Sequence, residues 1–149
     1  MLGGRALAVD SESDPALSFV NKASRNPVII RGQLELGRTY AQQALHRLRT
    51  AASSETPETL DQTIHASYKQ LALGTSGVKM KLRAGTDAKI ANPVLAMAAL
   101  ELDKAMVHIR NARHSAYSFS PERPNVVQQV IYHLEATISI VEQVMDLIG

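Results

Sequence analysis

The 149-residue chain contains no cysteine and no tryptophan, and only 4% of its residues are aromatic. The lack of cysteine excludes disulfide frameworks, thiolate zinc sites, cysteine nucleophiles and covalently attached haem. Long apolar runs are missing too, since no stretch approaches the roughly 18 consecutive apolar residues that a membrane span needs. The first ten residues hold no apolar segment long enough for a secretory signal. A cytoplasmic location without membrane contact is therefore expected.

The apolar content is sufficient for one hydrophobic core. Hydrophobic residues make up 45% of the chain, and its length is that of a single domain. Residues 1–25 alternate small, acidic and apolar types without a sustained period, which predicts a flexible N-terminal arm with room for one helical turn at 14–20. Residues 26–149 are predicted to form the domain.

Four apolar stripes with helical spacing predict an all-α fold. Asn26-Pro27 and Asn92-Pro93 each pair a capping residue with the residue preferred at the first helical position, and Thr56-Pro57 is similar. A polar linker at 118–124 precedes the last helix. The stripes comprise Ile30, Leu34, Gly37, Ala41, Leu45, Leu48 and Ala52; Leu60, Ile64, Tyr68 and Leu71; Leu95, Ala98, Leu102, Ala105, Ile109, Ala112 and Ala116; and Val127, Ile131, Leu134, Ile138, Val141, Met145 and Ile148. Short connections between them favour a four-helix bundle of two αα-hairpins.

Two helices depart from the simple pattern. Gly74 and Gly77 would cost a continuous helix about 2 kcal/mol relative to alanine, so a kink or break is expected there, followed by a helix or loop at 78–83. The last helix carries apolar residues beyond one stripe, which is typical of a central or oligomeric helix.

Part of the chain repeats at an offset of 66 residues. Asn26-Pro27-Val28 matches 92–94, and Leu34-Glu35-Leu36 matches 100–102. Internal duplication of one hairpin would explain the match. The alternative is that short sequences common at helix starts and on helix surfaces recur by chance.

Charge is unevenly distributed around a net of +2. Residues 22–49 contain six bases against Glu35, whereas the chain from 124 onward contains acids and no Lys or Arg. This layout indicates either a basic helix packed beside an acidic one or a basic surface for phosphate or an acidic protein. The near-neutral total disfavours nucleic-acid binding, which rests on many phosphate contacts. The predicted anion or partner contacts are Lys79, Lys81, Arg83, Arg110 and Arg113.

The five histidines show no metal-binding spacing. A di-metal bundle site needs Glu-x-x-His, but Glu35, Glu101 and Glu135 are followed three residues later by other types. No His-x-x-His or His-x-x-x-His pair occurs, so a metal site would have to be assembled wholly from tertiary contacts. No metal and no cofactor are predicted.

Two histidines lie in motifs similar to those of phosphotransfer proteins. His46-Arg47-Leu48-Arg49-Thr50 resembles the phospho-accepting box of histidine kinase dimerisation domains, with Arg47 in place of the acid. Asp61, His65 and Lys69 share one helical face and are followed by glycines, which is similar to the histidine phosphotransfer motif. An Asp four residues from His65 would orient its ring. The resemblance implies a phosphoryl acceptor role for His65.

The segment from Arg110 to Tyr117 resembles the Arg-Asn-x-x-x-x-His motif of the HEPN ribonucleases, which are also helical bundles. The resemblance implies that Arg110 holds a phosphate and that His114 acts as acid or base. His114 comes one residue earlier than the motif requires. His65 and His114 are therefore the candidate catalytic residues. The alternative for His65 is a surface histidine in an ordinary ladder of charged residues. The alternative for His114 is that it belongs to the basic C-terminal turn of a helix.

These features together predict a non-enzymatic helical bundle that acts through protein–protein contact and forms homo-oligomers. The partner would be a second copy or another protein. An RNA-processing or phosphotransfer protein that uses His114 or His65 is the alternative.

Overall fold

The computed structural model describes residues 22–87 and 92–149, and this part of the chain is almost entirely helical. The helices are α1 (Pro27–Ala51), α2 (Pro57–Asp87), α3 (Pro93–Ala116) and α4 (Pro124–Ile148), with a 3-10 turn at Ala52–Ser54. Each helix packs against its two neighbours around a closed square of α1, α2, α3 and α4. The predicted all-α, four-helix bundle of two αα-hairpins is confirmed.

The helices begin where local capping chemistry places them. Each starts with a proline at its first position. The side chain of Asn26 accepts a hydrogen bond from the Val28 amide at 2.9 Å, and that of Asn92 accepts one from the Leu95 amide at 3.1 Å. Both caps satisfy amides that have no partner inside the helix.

The expected break at Gly74 and Gly77 is wrong, because α2 continues through both residues. A kink there stays a prediction. The two glycines are buried against other segments. A Cβ at Gly74 would lie 2.6 Å from Leu34 Cδ2, and one at Gly77 would clash with the carbonyl of Ser24. Close packing by α1 offsets the low helix propensity of glycine, so these residues permit contact rather than interrupt the helix.

Gly37 on α1 makes the reciprocal close contact with a leucine of α2. A Cβ there would lie 2.5 Å from Leu71 Cδ2. Leu34 and Leu71 thus each fill the space left by a glycine on the opposite helix. The Ser67 hydroxyl donates a buried hydrogen bond to the Gly37 carbonyl at 2.7 Å. Gly37 and Gly74 therefore allow α1 and α2 to approach each other closely.

The α4 helix places its apolar surplus against the core. Val130, Leu134, Val141, Val144 and Met145 are buried. Four residues of the predicted stripe, at 127, 131, 138 and 148, are only partly buried at the edge of the core. The apolar surplus on this helix is thus used mainly for internal packing.

The sequence repeat does not extend to burial. Leu34 is fully buried, whereas its counterpart Leu100 is 66% exposed. The matching Leu-Glu-Leu segments are therefore oriented differently relative to the core in α1 and in α3. Duplication of the hairpin stays a prediction.

Most of the predicted N-terminal arm, including the helical turn expected at 14–20, lies outside the described residues. Its last part, at 22–25, packs beside the bundle, where Gln33 Nε2 donates to the Lys22 carbonyl at 2.6 Å. Of the helices described, none is both long enough and apolar enough to cross a membrane.

Candidate functional site

The basic α1 helix packs beside the acidic α4 helix, as one interpretation of the charge layout predicted. Arg38 lies 3.8 Å from Glu142, and Arg49 forms an ion pair with Glu135. The Arg31 guanidinium donates to the Met145 carbonyl at 3.0 Å. These bases stabilise an internal interface instead of forming a continuous basic surface.

The five predicted binding residues do not come together in one site. Lys79 pairs with Asp103 at 2.8 Å, and Arg113 pairs with Asp61 at 2.7 Å. Both pairs join α2 to α3. The hydrogen bond that Arg113 donates to Asp61, together with the charge of that carboxylate, raises the pKa of Arg113 above its ordinary value. Lys79 and Arg113 are therefore occupied in holding two helices together.

The other three predicted residues form no ion pair within the described ranges. Arg83 and Arg110 are exposed, and Lys81 is half-buried. Lys81 lines a cavity of about 380 Å³ at one end of the bundle, together with apolar side chains that include Val78, Leu95 and Ile148. Arg110 does not line this cavity and lies on the solvent-exposed side of α3.

His65 is half-buried on α2 beside a polar recess. Its Nδ1 is buried and has no hydrogen-bond partner among the described residues, and its ring stacks on Tyr68 with centroids 6.2 Å apart. The recess has a volume of about 250 Å³ and is lined by Tyr40, Lys69 and Gln70. The expected support from Asp61 is absent, because Arg113 holds that carboxylate.

The histidines of the other two motifs lie at the surface. His46 is exposed, while Arg47, which replaces the acid of its motif, pairs with Glu55 at 3.2 Å. Arg110, Asn111 and His114 are all exposed on α3. The His114 ring meets Tyr117 edge-on, with centroids 6.2 Å apart.

An exposed apolar face on α3 was missed in the sequence. Met97, Leu100 and Val107 are 54%, 66% and 48% exposed. Leu100, Val107 and His114 are seven residues apart, so they form one line on the helix. We call Met97, Leu100, Val107 and His114 the α3 outer face. The signal was present, since these apolar residues do not belong to the predicted α3 stripe.

A histidine pair between α3 and α4 was also missed. Nδ1 of His108 and Nδ1 of His133 are 3.0 Å apart, and both side chains are half-buried. The exposed Tyr132 ring meets both imidazoles edge-on. Desolvation and the neighbouring His108 lower the pKa of His133. The two residues are 25 positions apart, so no local spacing could have indicated the pair.

The two rings meet head-on, with their centroids 5.3 Å apart, so each Nδ1 points at the other as in a hydrogen bond. Within 22–87 and 92–149, no group of three or more His, Cys, Asp or Glu side chains could hold an ion.

Comparisons with protein-family models, with curated proteins and with solved structures find no match to the chain.

Proposed function

We propose that this protein is a non-enzymatic helical bundle that acts through protein–protein contact, and that it forms a homodimer through the α3 outer face. The observation that carries the proposal is the exposure of Leu100 and Val107 on one line of the helix. Aligned apolar side chains that face solvent are typical of interaction sites, whereas scattered ones need no explanation.

The charges along α3 favour an antiparallel pairing of two copies. Asp103 lies in its N-terminal half, whereas Arg110 and His114 lie in its C-terminal half. A two-fold axis at Val107 would place Leu100 opposite His114 of the second copy. It would also bring Asp103 within one helical position of Arg110 of that copy. Parallel pairing would instead place like charges together, which is unfavourable.

The contact is expected to be weak and reversible. A stable interface usually buries about 800 Å² on each partner, and one helix face with three large apolar side chains supplies less. We therefore expect a dissociation constant on the order of micromolar.

Measuring mass against concentration tests the proposal. Sedimentation equilibrium or light scattering is expected to show a monomer–dimer equilibrium for the wild type. Leu100→Glu and Val107→Glu should shift the equilibrium to monomer by at least about tenfold, because a buried unpaired carboxylate opposes association. Gln42→Glu, at an exposed position on α1, adds the same charge elsewhere and should have no effect. A strict monomer at all concentrations would rule out the dimer.

The absence of cysteine makes a direct geometric test available. In the antiparallel register, the two Val107 side chains lie next to the axis and next to each other. Val107→Cys should therefore give a disulfide-linked dimer on mild oxidation, while Gln42→Cys should not. Equal cross-linking of both variants would show random collision and would reject this register.

A second candidate function uses the histidines. The joint exposure of Arg110, Asn111 and His114 favours the RNA-processing alternative, and an RNA cleavage assay tests it by comparing wild type with His114→Ala. Equal background cleavage would remove this alternative.

The recess beside His65 favours the phosphotransfer alternative. Here the test is incubation with a phosphorylated receiver domain, using His65→Ala as the control. Absence of an acid-labile phosphate on the wild type would remove it.

A further inference from the structure

Residues 22–25 lie in the groove between α1 and α2. The Ser24 carbonyl and the Ile30 side chain both lie against Gly77. Two residues earlier in the chain, the Lys22 carbonyl accepts a hydrogen bond from Gln33 Nε2 at 2.6 Å. Gln33 comes three residues after Ile30, so the segment leads from the start of α1 toward its middle when it is followed toward the N-terminus.

The polar recess beside His65 lies further along the same groove. Tyr40 of α1 and Gln70 of α2 line it. Tyr40 follows Gln33 by seven residues, and Gln70 precedes Gly77 by seven, so each pair lies on one line of its helix. Because the contacts of Gly37 and Gly74 show that α1 and α2 are antiparallel, both steps run in the same direction, over about 10 Å.

The recess holds buried polar atoms that lack donors. Gln70 is 9% exposed, and its Oε1 accepts no hydrogen bond within the described ranges. Nδ1 of His65 is also buried and unpartnered there. An amide oxygen can only accept, and the unprotonated nitrogen of a neutral imidazole accepts too. Since a buried acceptor without a donor costs free energy, a segment that brings N–H or O–H groups into the recess is favoured there.

The residues that precede Lys22 lie outside the described part of the chain, and their sequence has the chemistry that this recess requires. Leu17, Phe19 and Val20 are apolar, while Ser18 and the main-chain amides supply donors. Three residues of chain span at most about 10 Å, so Phe19 is near enough to Lys22 to reach the recess.

We propose that residues 17–21 continue along the α1–α2 groove of the same chain and that Phe19 docks in the recess against Tyr40. Contact between aromatic rings is favourable beyond the apolar area that it buries. An amide or hydroxyl of the segment donates to Gln70 Oε1. The docked segment covers His65 and does not involve α3, so this proposal does not depend on the homodimer.

Reaction of the histidines with diethyl pyrocarbonate, located by mass spectrometry in the intact chain, tests the docking. His65 should react at least about fivefold faster in Phe19→Asp than in the wild type, because a carboxylate opposes burial at that position. The exposed His46 and His114 are internal controls and should react equally in both proteins. Leu7→Asp adds the same charge twelve residues earlier and should leave His65 protected. Equal His65 rates in the wild type and in Phe19→Asp would overturn the proposal.

A pair of introduced cysteines identifies which chain supplies the segment. Ser18→Cys combined with Gln62→Cys, at an exposed position that lines the recess, should form a disulfide within one chain on mild oxidation. Ser18→Cys combined with Gln42→Cys should not, because Gln42 is two residues from Tyr40 and lies on another face of α1. Equal yields from the two pairs would overturn the docking. A disulfide that forms only between chains would assign the segment to a second copy and overturn docking within one chain.

Discussion

At the scale of single residues, the glycines of α1 and α2 differ in what surrounds them. Gly74 faces the fully buried Leu34, which cannot move aside, whereas a Cβ at Gly32 would meet nothing within 4 Å. The same substitution should therefore have opposite effects at the two positions.

Gly74→Ala is expected to destabilise the bundle by about 1–3 kcal/mol through overpacking. Gly32→Ala should stabilise it by about 1 kcal/mol, because alanine is the better helix former and the position is open to solvent. Urea denaturation followed by circular dichroism measures both. Stabilisation by Gly74→Ala would contradict the close contact.

The His108–His133 pair makes a residue-scale prediction about pH. The pKa of His133 is lowered in the folded state, so the unfolded chain binds more protons as pH falls. The contribution of the pair is complete above the unfolded histidine pKa of about 6.5, and is lost as the pH falls through the lower folded value. Denaturation midpoints should therefore drop as the pH falls below about 6.5.

Three substitutions test the origin of this pH dependence. His133→Gln removes the group and should abolish its contribution, whereas His108→Gln removes only the smaller cause of the lowered pKa of His133 and should reduce the dependence, since desolvation remains. His114→Gln, at an exposed position on the same helix, should leave it unchanged. A wild-type protein whose stability does not vary across this pH range would contradict the prediction.

At the scale of helices, the prolines and capping residues made the boundaries predictable. These signals are local, because a cap and the amides it satisfies lie within one turn. The error at Gly74 and Gly77 has a non-local cause, since their tolerance in α2 depends on Leu34 and Ser24 in other segments. The same limit applies to candidate sites. The apolar composition of α3 was visible, but the sequence could not show which side of the helix the other helices would cover.

The caps themselves give a helix-scale prediction. Asn26→Ala and Asn92→Ala should each reduce the free energy of unfolding by about 1 kcal/mol, because each leaves a first-turn amide without its partner. Arg123→Ala precedes α4, where no side chain forms a capping hydrogen bond, and should change stability by less than about 0.5 kcal/mol. Thermal and urea denaturation measure all three, and equal effects would argue against capping as the cause.

At the scale of the whole molecule, some charged residues form ion pairs between helices of the bundle, and others are exposed at its surface. The pairs between α1 and α4 and between α2 and α3 lie within the bundle and are partly exposed, so each contributes little to stability. Arg110 is different, since it is exposed and forms no ion pair within the described ranges. In the proposed dimer it would meet Asp103 of the second copy.

Charge exchange at these two positions tests the dimer as a whole. Arg110→Asp should weaken association by about fivefold to tenfold, because two acids then face each other across the contact. The double variant Asp103→Arg with Arg110→Asp should recover part of that loss, since the intermolecular pair is restored with its signs reversed while Lys79 loses its partner within each copy. Lys79→Ala is the control for that second effect and should leave association unchanged. Raising the salt concentration should weaken the wild-type dimer by screening the same pairs. Sedimentation equilibrium measures each step, and a double variant no tighter than Arg110→Asp would reject the antiparallel register while leaving the apolar contact to be judged by Leu100→Glu.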